Sequence, residues 1–167
     1  MRIFKEEQCF TQPWLLVLLT VSVIVPIVTV FQEYFKEDTK ISTNSFLISI
    51  VAIVASVALI FFFKLKTRID ETGIHYQFFP FHLKLKSIKW NDIEMATVRK
   101  YDPIGEYGGW GVKGGFLWNK KKGRCMNVSG NLGIQLELKN GKKLLIGTQK
   151  KEEAINVLKT YKEKNND

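Results

Sequence analysis

The sequence predicts a membrane-anchored α+β protein: a two-helix transmembrane hairpin, then a small antiparallel β domain closed by an amphipathic C-terminal helix. Three observations carry that class. Two long apolar stretches fall between residues 13 and 63 of a 167-residue chain. From Lys64 onward, short runs alternate polar and apolar residues. Residues 150–164 switch to helical periodicity. The charge divides at the same point, with four Lys/Arg and five Asp/Glu in residues 1–63 but 21 and 11 in residues 64–167. The length leaves room for one folded domain beside the hairpin. This distribution argues against a plain soluble enzyme, a disordered chain and a disulfide scaffold.

Pro13 to Phe31 is free of formal charge and, as a helix, measures about 28 Å, close to the ~30 Å hydrocarbon thickness of a bilayer. Pro26 inside it is tolerable where neighbouring groups satisfy the freed carbonyl, and predicts a bend. The leader is not net basic, since Arg2 and Lys5 offset Glu6 and Glu7. No small-residue cleavage site follows, so a retained helix is expected rather than a signal peptide. The second span covers residues 43–63. Ser45, Ser49, Ala52 and Ser56 form a small-residue stripe expected to face the first span. Neither span holds an ionisable residue, which argues for an anchor and against transport or proton relay. Arg2 and Lys5 before the first span, with Lys64, Lys66 and Arg68 after the second, place both termini in the cytoplasm and the connecting loop outside. The expected division is thus a cytoplasmic segment 1–12, the hairpin 13–63 and a cytoplasmic domain 64–167.

Lys64–Asp70 alternates from its first residue, Asp70–Gly73 is a turn, and Ile74, Tyr76 and Phe78 resume the alternation. Pro80 interrupts; Leu83 and Leu85 then Ile88 and Trp90 predict a strand with a slip near Ser87. Ile93–Tyr101 is β-rich. Residues 102–115 are glycine-rich and irregular, and Phe116–Trp118 with Arg124–Val128 could pair around a basic turn. Ile134, Leu136 and Leu138 alternate up to Asn140-Gly141, a type I′ signal, followed by residues 143–147. Thr148 can cap the last helix, whose apolar face is Ala154, Ile155, Leu158 and Tyr161. About seven strands and one helix in this order predict a small barrel or two-sheet sandwich.

Two spans running directly into strands, Ile88-Lys-Trp-Asn-Asp-Ile93, Tyr107-Gly-Gly-Trp-Gly111 and Gly147-Thr-Gln149 before the final helix together resemble membrane-anchored bacterial proteins with a pleckstrin-homology-like (PH-like) domain. The resemblance implies seven strands plus a C-terminal helix and little about activity. The inositol-lipid-binding branch of that superfold uses a basic first hairpin turn. Here the turn is Asp70-Glu71-Thr72-Gly73, which is acidic and departs from that pattern.

Gly109–Gly114 spells GxGxxG, but it lies in an all-β region rather than between a strand and a helix, so a dinucleotide site is not expected. Cys9 and Cys125 stand apart from any CxxC or Cys/His cluster, and His75 and His82 alone cannot build a metal site. No nucleophile motif, cofactor signature or nucleic-acid motif is present. Two groups remain as candidates. Lys64, Lys66, Arg68, Lys120, Lys121, Lys122 and Arg124 would face anionic lipid headgroups, where each cation can contribute about 1 kcal/mol. Tyr107, Trp110, Phe116 and Trp118 would either fill the interior or present a surface to a protein partner or second copy. The function expected is a membrane-tethered binding or scaffolding module. The alternative is a membrane-bound enzyme with a site near residues 102–115. Exchanging Lys64, Lys66 and Arg68 for glutamate should weaken cytoplasmic retention of the C-terminal domain, read with a C-terminal reporter active only outside the membrane. That reporter should be silent on the unmutated chain.

Overall fold

Uncharged runs without turn signals fold as the two expected helices, α1 (Pro13–Tyr34) and α2 (Thr43–Ala58), the latter extended by a 3-10 turn at Leu59–Phe62. The computed structural model describes residues 3–36, 41–114 and 123–164. Both helices are long and apolar enough to cross a membrane, by length and composition. α1 runs continuously through Pro26. The less exposed side chains of the pair include Leu15, Leu19, Val23, Pro26, Ile27 and Val30 from α1 and Phe46, Ser49, Ile50, Ile53 and Val57 from α2. These seams advance in steps of three and four residues, the spacing of nearly antiparallel helices packed ridge into groove. At one end Phe46 stacks on Tyr34, with ring centroids 4.4 Å apart, and meets Phe31 edge-on at 5.0 Å. Of the small-residue stripe only Ser49 is half-buried; Ser45, Ala52 and Ser56 are exposed, and bulkier residues take most of the contact. The Ser49 and Ser56 hydroxyls donate instead to Ser45 O and Ile53 O of their own helix.

Among the described residues the other unit has nine strands, in two open sheets. The first, ordered β1-β2-β3-β4, joins β1 (Phe4–Cys9), β2 (Lys64–Asp70), β3 (Gly73–Phe79) and β4 (Lys86–Lys89), all antiparallel. β1 departs from the expected division of the chain. Residues 4–9 are an edge strand of the domain rather than a separate segment, and Cys9 pairs with Lys64 across the whole helical insertion. Leu83 and Leu85 do not extend β4; they lie in the connection after Pro80. Trp90 falls in a 3-10 turn, where its Nε1 donates to Asp70 O at 2.8 Å.

The second sheet has the order β5-β8-β9-β7-β6. It contains β5 (Ile93–Lys100), β6 (Gly111–Lys113), β7 (Arg124–Asn127), β8 (Leu132–Leu138) and β9 (Lys143–Gly147). Arg124–Asn127 pairs with β6; Phe116–Trp118, the partner expected for it, lies outside the described residues. β7 also runs parallel to β9. The glycine-rich segment is partly regular: α3 (Pro103–Tyr107) is capped by the Asp102 carboxylate, which accepts from Ile104 N. Asn140-Gly141 forms a longer loop than a type I′ pair. Leu138 N donates to Lys142 O and Gly141 N to Leu138 O, leaving three loop residues with Gly141 at φ 76°. That is a type I turn followed by a left-handed residue, a position glycine occupies without a Cβ clash.

Neither sheet closes into a barrel. α4 (Lys151–Lys164) packs on β1 and β2 of one sheet and on β5 and β8 of the other. Its buried face is Ala154, Val157, Leu158 and Tyr161, and Tyr161 stacks on Trp90 with centroids 5.4 Å apart. The first sheet turns Phe4, Leu65, Ile69, Ile74 and Phe78 inward, all fully buried. Two inward positions of β1 are polar. Buried Glu6 accepts from Thr148 Oγ1 at 2.6 Å and Gln149 N at 2.8 Å, and Gln8 Nε2 donates to Gly147 O at 2.8 Å. These bonds tie the edge strand to the junction of β9 and α4. Thr148 caps that junction by accepting from Lys150 N. Glu6→Ala should lower stability by about 1.5–3 kcal/mol, the scale of hydrogen bonds to a charged acceptor. Thermal melts of the detergent-solubilised chain should show it, whereas the exposed Lys5→Ala should change little.

Candidate functional site

Alternation along β2 sends Leu65, Thr67 and Ile69 into the core and leaves Lys64, Lys66 and Arg68 on the outer face. These cations are not bare. Glu7 on β1 lies opposite Lys66 and sits 3.2 Å from both Lys64 and Lys66. The hydrogen bonds from Lys64 and then Lys66 hold its carboxyl below the usual range. Arg68 Nε donates to Asp70 Oδ2 at 2.8 Å. Arg124 is separate from this row. It opens β7 and, with Lys142 and Lys143, rims a cleft of about 410 Å³ whose lining includes Tyr76, Ile88 and Leu138. Lys120, Lys121 and Lys122 lie outside the described residues, as do Phe116 and Trp118.

Tyr107 is a core residue, not a partner surface. It packs with Tyr101, Cys125 and Leu145, its ring edge-on to Tyr101 at 5.9 Å. The aromatic pair fills the space under β7 and β9 because alternate positions of those strands, Cys125 and Leu145, point to that side. Burial pushes the Cys125 thiol up to about 12, so it stays protonated at neutral pH. Asn127 Nδ2 donates to the Tyr101 hydroxyl at 2.6 Å, and Asn127 Oδ1 accepts from Gly111 N. Trp110 is half-buried and its Nε1 donates to Gly130 O at 3.2 Å. Arg99 clamps the same corner: two of its nitrogens reach the two carboxylate oxygens of Glu106 at 3.1 and 2.8 Å. The loop is thus braced through hydrogen bonds, and two clefts elsewhere among the described residues of this unit are lined by other residues.

The second cleft, about 310 Å³, lies beside a polar chain that sequence reading passed over. Asp70 ends β2, His75 lies on β3 and Ser87 on β4. Their outward positions are adjacent because Arg68 pairs with His75, and His75 with Ser87. Asp70 Oδ1 accepts from Thr72 Oγ1 at 2.6 Å and Thr72 N at 2.9 Å, and lies 3.1 Å from His75 Nε2. His75 Nδ1 meets Ser87 Oγ at 2.7 Å. Burial opposes ionisation of Asp70, but the hydrogen bonds from Thr72 and His75 outweigh it and hold the carboxyl well below the usual range. An ionised Asp70 favours a hydrogen on His75 Nε2, and in the neutral ring that tautomer leaves Nδ1 to accept from Ser87. Carboxylate, imidazole and hydroxyl are therefore fixed in one orientation, and each link joins neighbouring strands. The acidic turn at 70–73 is consumed by this network rather than offered to an inositol phosphate.

No protein-family model matches the chain, and comparison with curated proteins found no match.

Because the carboxyl of Asp70 is depressed in the folded state, its stabilisation is complete above an unfolded value near ~3.9 and disappears as pH falls through the folded value. Asp70→Asn should therefore be less stable than the parent at pH 7, by about 1.5–3 kcal/mol, the scale of hydrogen bonds to a charged acceptor. The gap should shrink steadily below pH 4. Denaturant melts in detergent at a series of pH values measure it; a gap constant with pH would refute the assignment.

Proposed function

We propose that this chain is a membrane-tethered binding or scaffolding module, with a PH-like domain held at the cytoplasmic face of a bacterial inner membrane. One observation carries the reading: β1 and β2 pair residue by residue although residues 10–63 separate them. A folded sheet that contains both flanks of the apolar segment requires both flanks on one side of a bilayer. Two passes satisfy this, and the helices supply two apolar lengths of chain. Lys64, Lys66 and Arg68 at the domain's entry select the cytoplasmic side.

Support for the PH-like reading comes from strand order. If the β6–β7 pair is set aside, four antiparallel strands, three antiparallel strands (β5, β8 and β9) and a closing helix remain. Seven strands and a closing helix is the content the resemblance implies, although it put every strand after the hairpin and here the first precedes it. Binding rather than catalysis is supported by the braced glycine-rich corner and by the cleft of Arg124, Lys142 and Lys143. A cationic rim over Tyr76, Ile88 and Leu138 suits an acidic protein segment, giving charge attraction at the edge and apolar burial at the floor.

In vivo crosslinking followed by affinity purification from detergent extracts should recover a discrete partner or a homo-oligomer. Arg124→Glu combined with Lys142→Glu should reduce that recovery at least tenfold, about 1.4 kcal/mol in binding. A monomer recovered alone under all conditions, or recovery indifferent to both charge reversals, counts against the module.

A further inference from the structure

The connection between β3 and β4 carries an exposed apolar cluster. Leu83 is 79% exposed, Phe81 65% and Phe79 37%, and the Phe81 ring lies 6.0 Å from that of buried Phe78. Leu85 instead lines the cleft beside Asp70 and His75. Three large apolar side chains presented within five residues form an interaction surface rather than scattered surface hydrophobics. The loop is held in shape. Gln77 Nε2 donates to both His82 O and Leu83 O at 3.1 Å, His82 N donates to Phe78 O at 2.8 Å, and the His82 ring packs edge-on to Tyr76. Its backbone is thus partly satisfied internally, which lowers the cost of leaving water.

Two facts indicate what covers it. The first is register. Phe79, the last residue of β3, pairs with Lys64, the first residue of β2, and Lys64 pairs with Cys9, the last residue of β1. The loop therefore leaves the sheet at the end where the chain passes into and out of the apolar segment. The turn at 70–73 lies at the opposite end. The second is charge. No acidic residue occurs between Glu71 and Asp92, while Lys84, Lys86 and Lys89 fall inside that stretch. Burial, then Lys86 and Arg124, holds His82 below its ordinary value, so its imidazole is neutral at pH 7. Apolar tips beside lysines match a lipid interface, where the rings and Leu83 enter the acyl boundary and the ammonium groups reach anionic headgroups.

We propose that Phe79, Phe81 and Leu83 dip into the interfacial layer of an anionic bilayer, giving the chain a third membrane contact besides its two helices. The proposal rests on the tethering reading above and adds a lipid contact through residues outside the basic row. Anionic lipid is engaged by Lys84 and Lys86 rather than by Lys64 and Lys66, whose charge is shared with Glu7.

The test uses the full chain in nanodiscs of phosphatidylcholine and phosphatidylglycerol. A polarity-sensitive fluorophore is attached at Leu83→Cys or, as the far-end control, at Glu71→Cys, both with Cys9→Ser. Cys125 stays unlabelled under native conditions because it is buried. At position 83 the emission should shift to the blue and be quenched by spin-labelled acyl chains. At position 71 it should be quenched by aqueous iodide alone. Iodide quenching at 83 equal to that at 71 would overturn the proposal, and so would protection from both quenchers, which indicates cover by protein. Alkaline carbonate extraction of native membranes separates the two readings. A chain that resists extraction while position 83 is water-exposed loses only the loop contact, whereas a chain released by carbonate loses the tether itself.

Discussion

The antiparallel pairing of β1 with β2 is the constraint on which the rest of the molecule depends. Six consecutive register pairs, from Phe4 with Ile69 to Cys9 with Lys64, close a loop that contains the entire helical unit. Loop closure costs entropy only logarithmically in length, so a long insertion between paired strands is affordable. The insertion becomes easier still when the inserted residues fold on themselves, as α1 and α2 do along their three-and-four-residue seam. What holds the first strand is not its apolar content. Phe4 alone enters the core as a large hydrophobe, while Glu6 and Gln8 reach the backbone and side chains where β9 meets α4. A buried carboxylate is costly unless its oxygens are satisfied, and here each oxygen accepts a hydrogen bond, so the same group that would destabilise a misregistered strand specifies the correct one.

From that strand the order of the domain follows. β1 covers the free edge of β2 and makes it an inner strand, β2 and β3 carry the fully buried Leu65, Ile69, Ile74 and Phe78, and α4 covers both sheets with one face. The polar groups are arranged around this core according to the pleat. Outward alternation makes a row of Arg68, His75 and Ser87 across three strands, and the turn supplies Asp70 and Thr72 to complete it. Inward alternation in the second sheet delivers Cys125 and Leu145 to the aromatic pair Tyr101 and Tyr107. Arg99 and Glu106 then close α3 over the strand edge with a two-point contact, geometry that a lysine could not reproduce. The glycine-rich segment looked irregular because its regular pieces, α3 and β6, are five and three residues long and are fixed by side-chain hydrogen bonds rather than by periodicity.

Several expectations failed for identifiable reasons. The small-residue stripe of α2 was read as a contact surface because small side chains permit close approach, yet the helices meet through Phe46, Ile50, Ile53 and Val57, where steps of three and four align with those of α1. Leu83 and Leu85 alternate with lysines as a strand would, but they follow Pro80 in a connection whose carbonyls are taken by Gln77. Alternation alone does not distinguish a half-buried strand from an exposed loop bearing apolar tips. Asn140-Gly141 marked the hairpin correctly, while the loop length was set by the pairing of Leu138 with Lys142.

What the sequence by itself determined is local: two uncharged lengths of helix, the alternation of β2, β3, β8 and β9, the closing amphipathic helix and the place where the charge changes. Each is written in the spacing of apolar residues, a signal contained within one element. Only the tertiary structure decided what depends on partners distant in the chain. That set comprises the recruitment of residues 4–9 as a strand, the division into two open sheets, the parallel contact of β7 with β9 and the meeting of Asp70, His75 and Ser87. Phe4-Lys-Glu-Glu-Gln-Cys9 carries polar residues at inward positions, so no hydrophobic period announces it. Its strand character exists because Thr148, Gln149 and Gly147 stand where Glu6 and Gln8 need them, and no local reading of either segment contains the other.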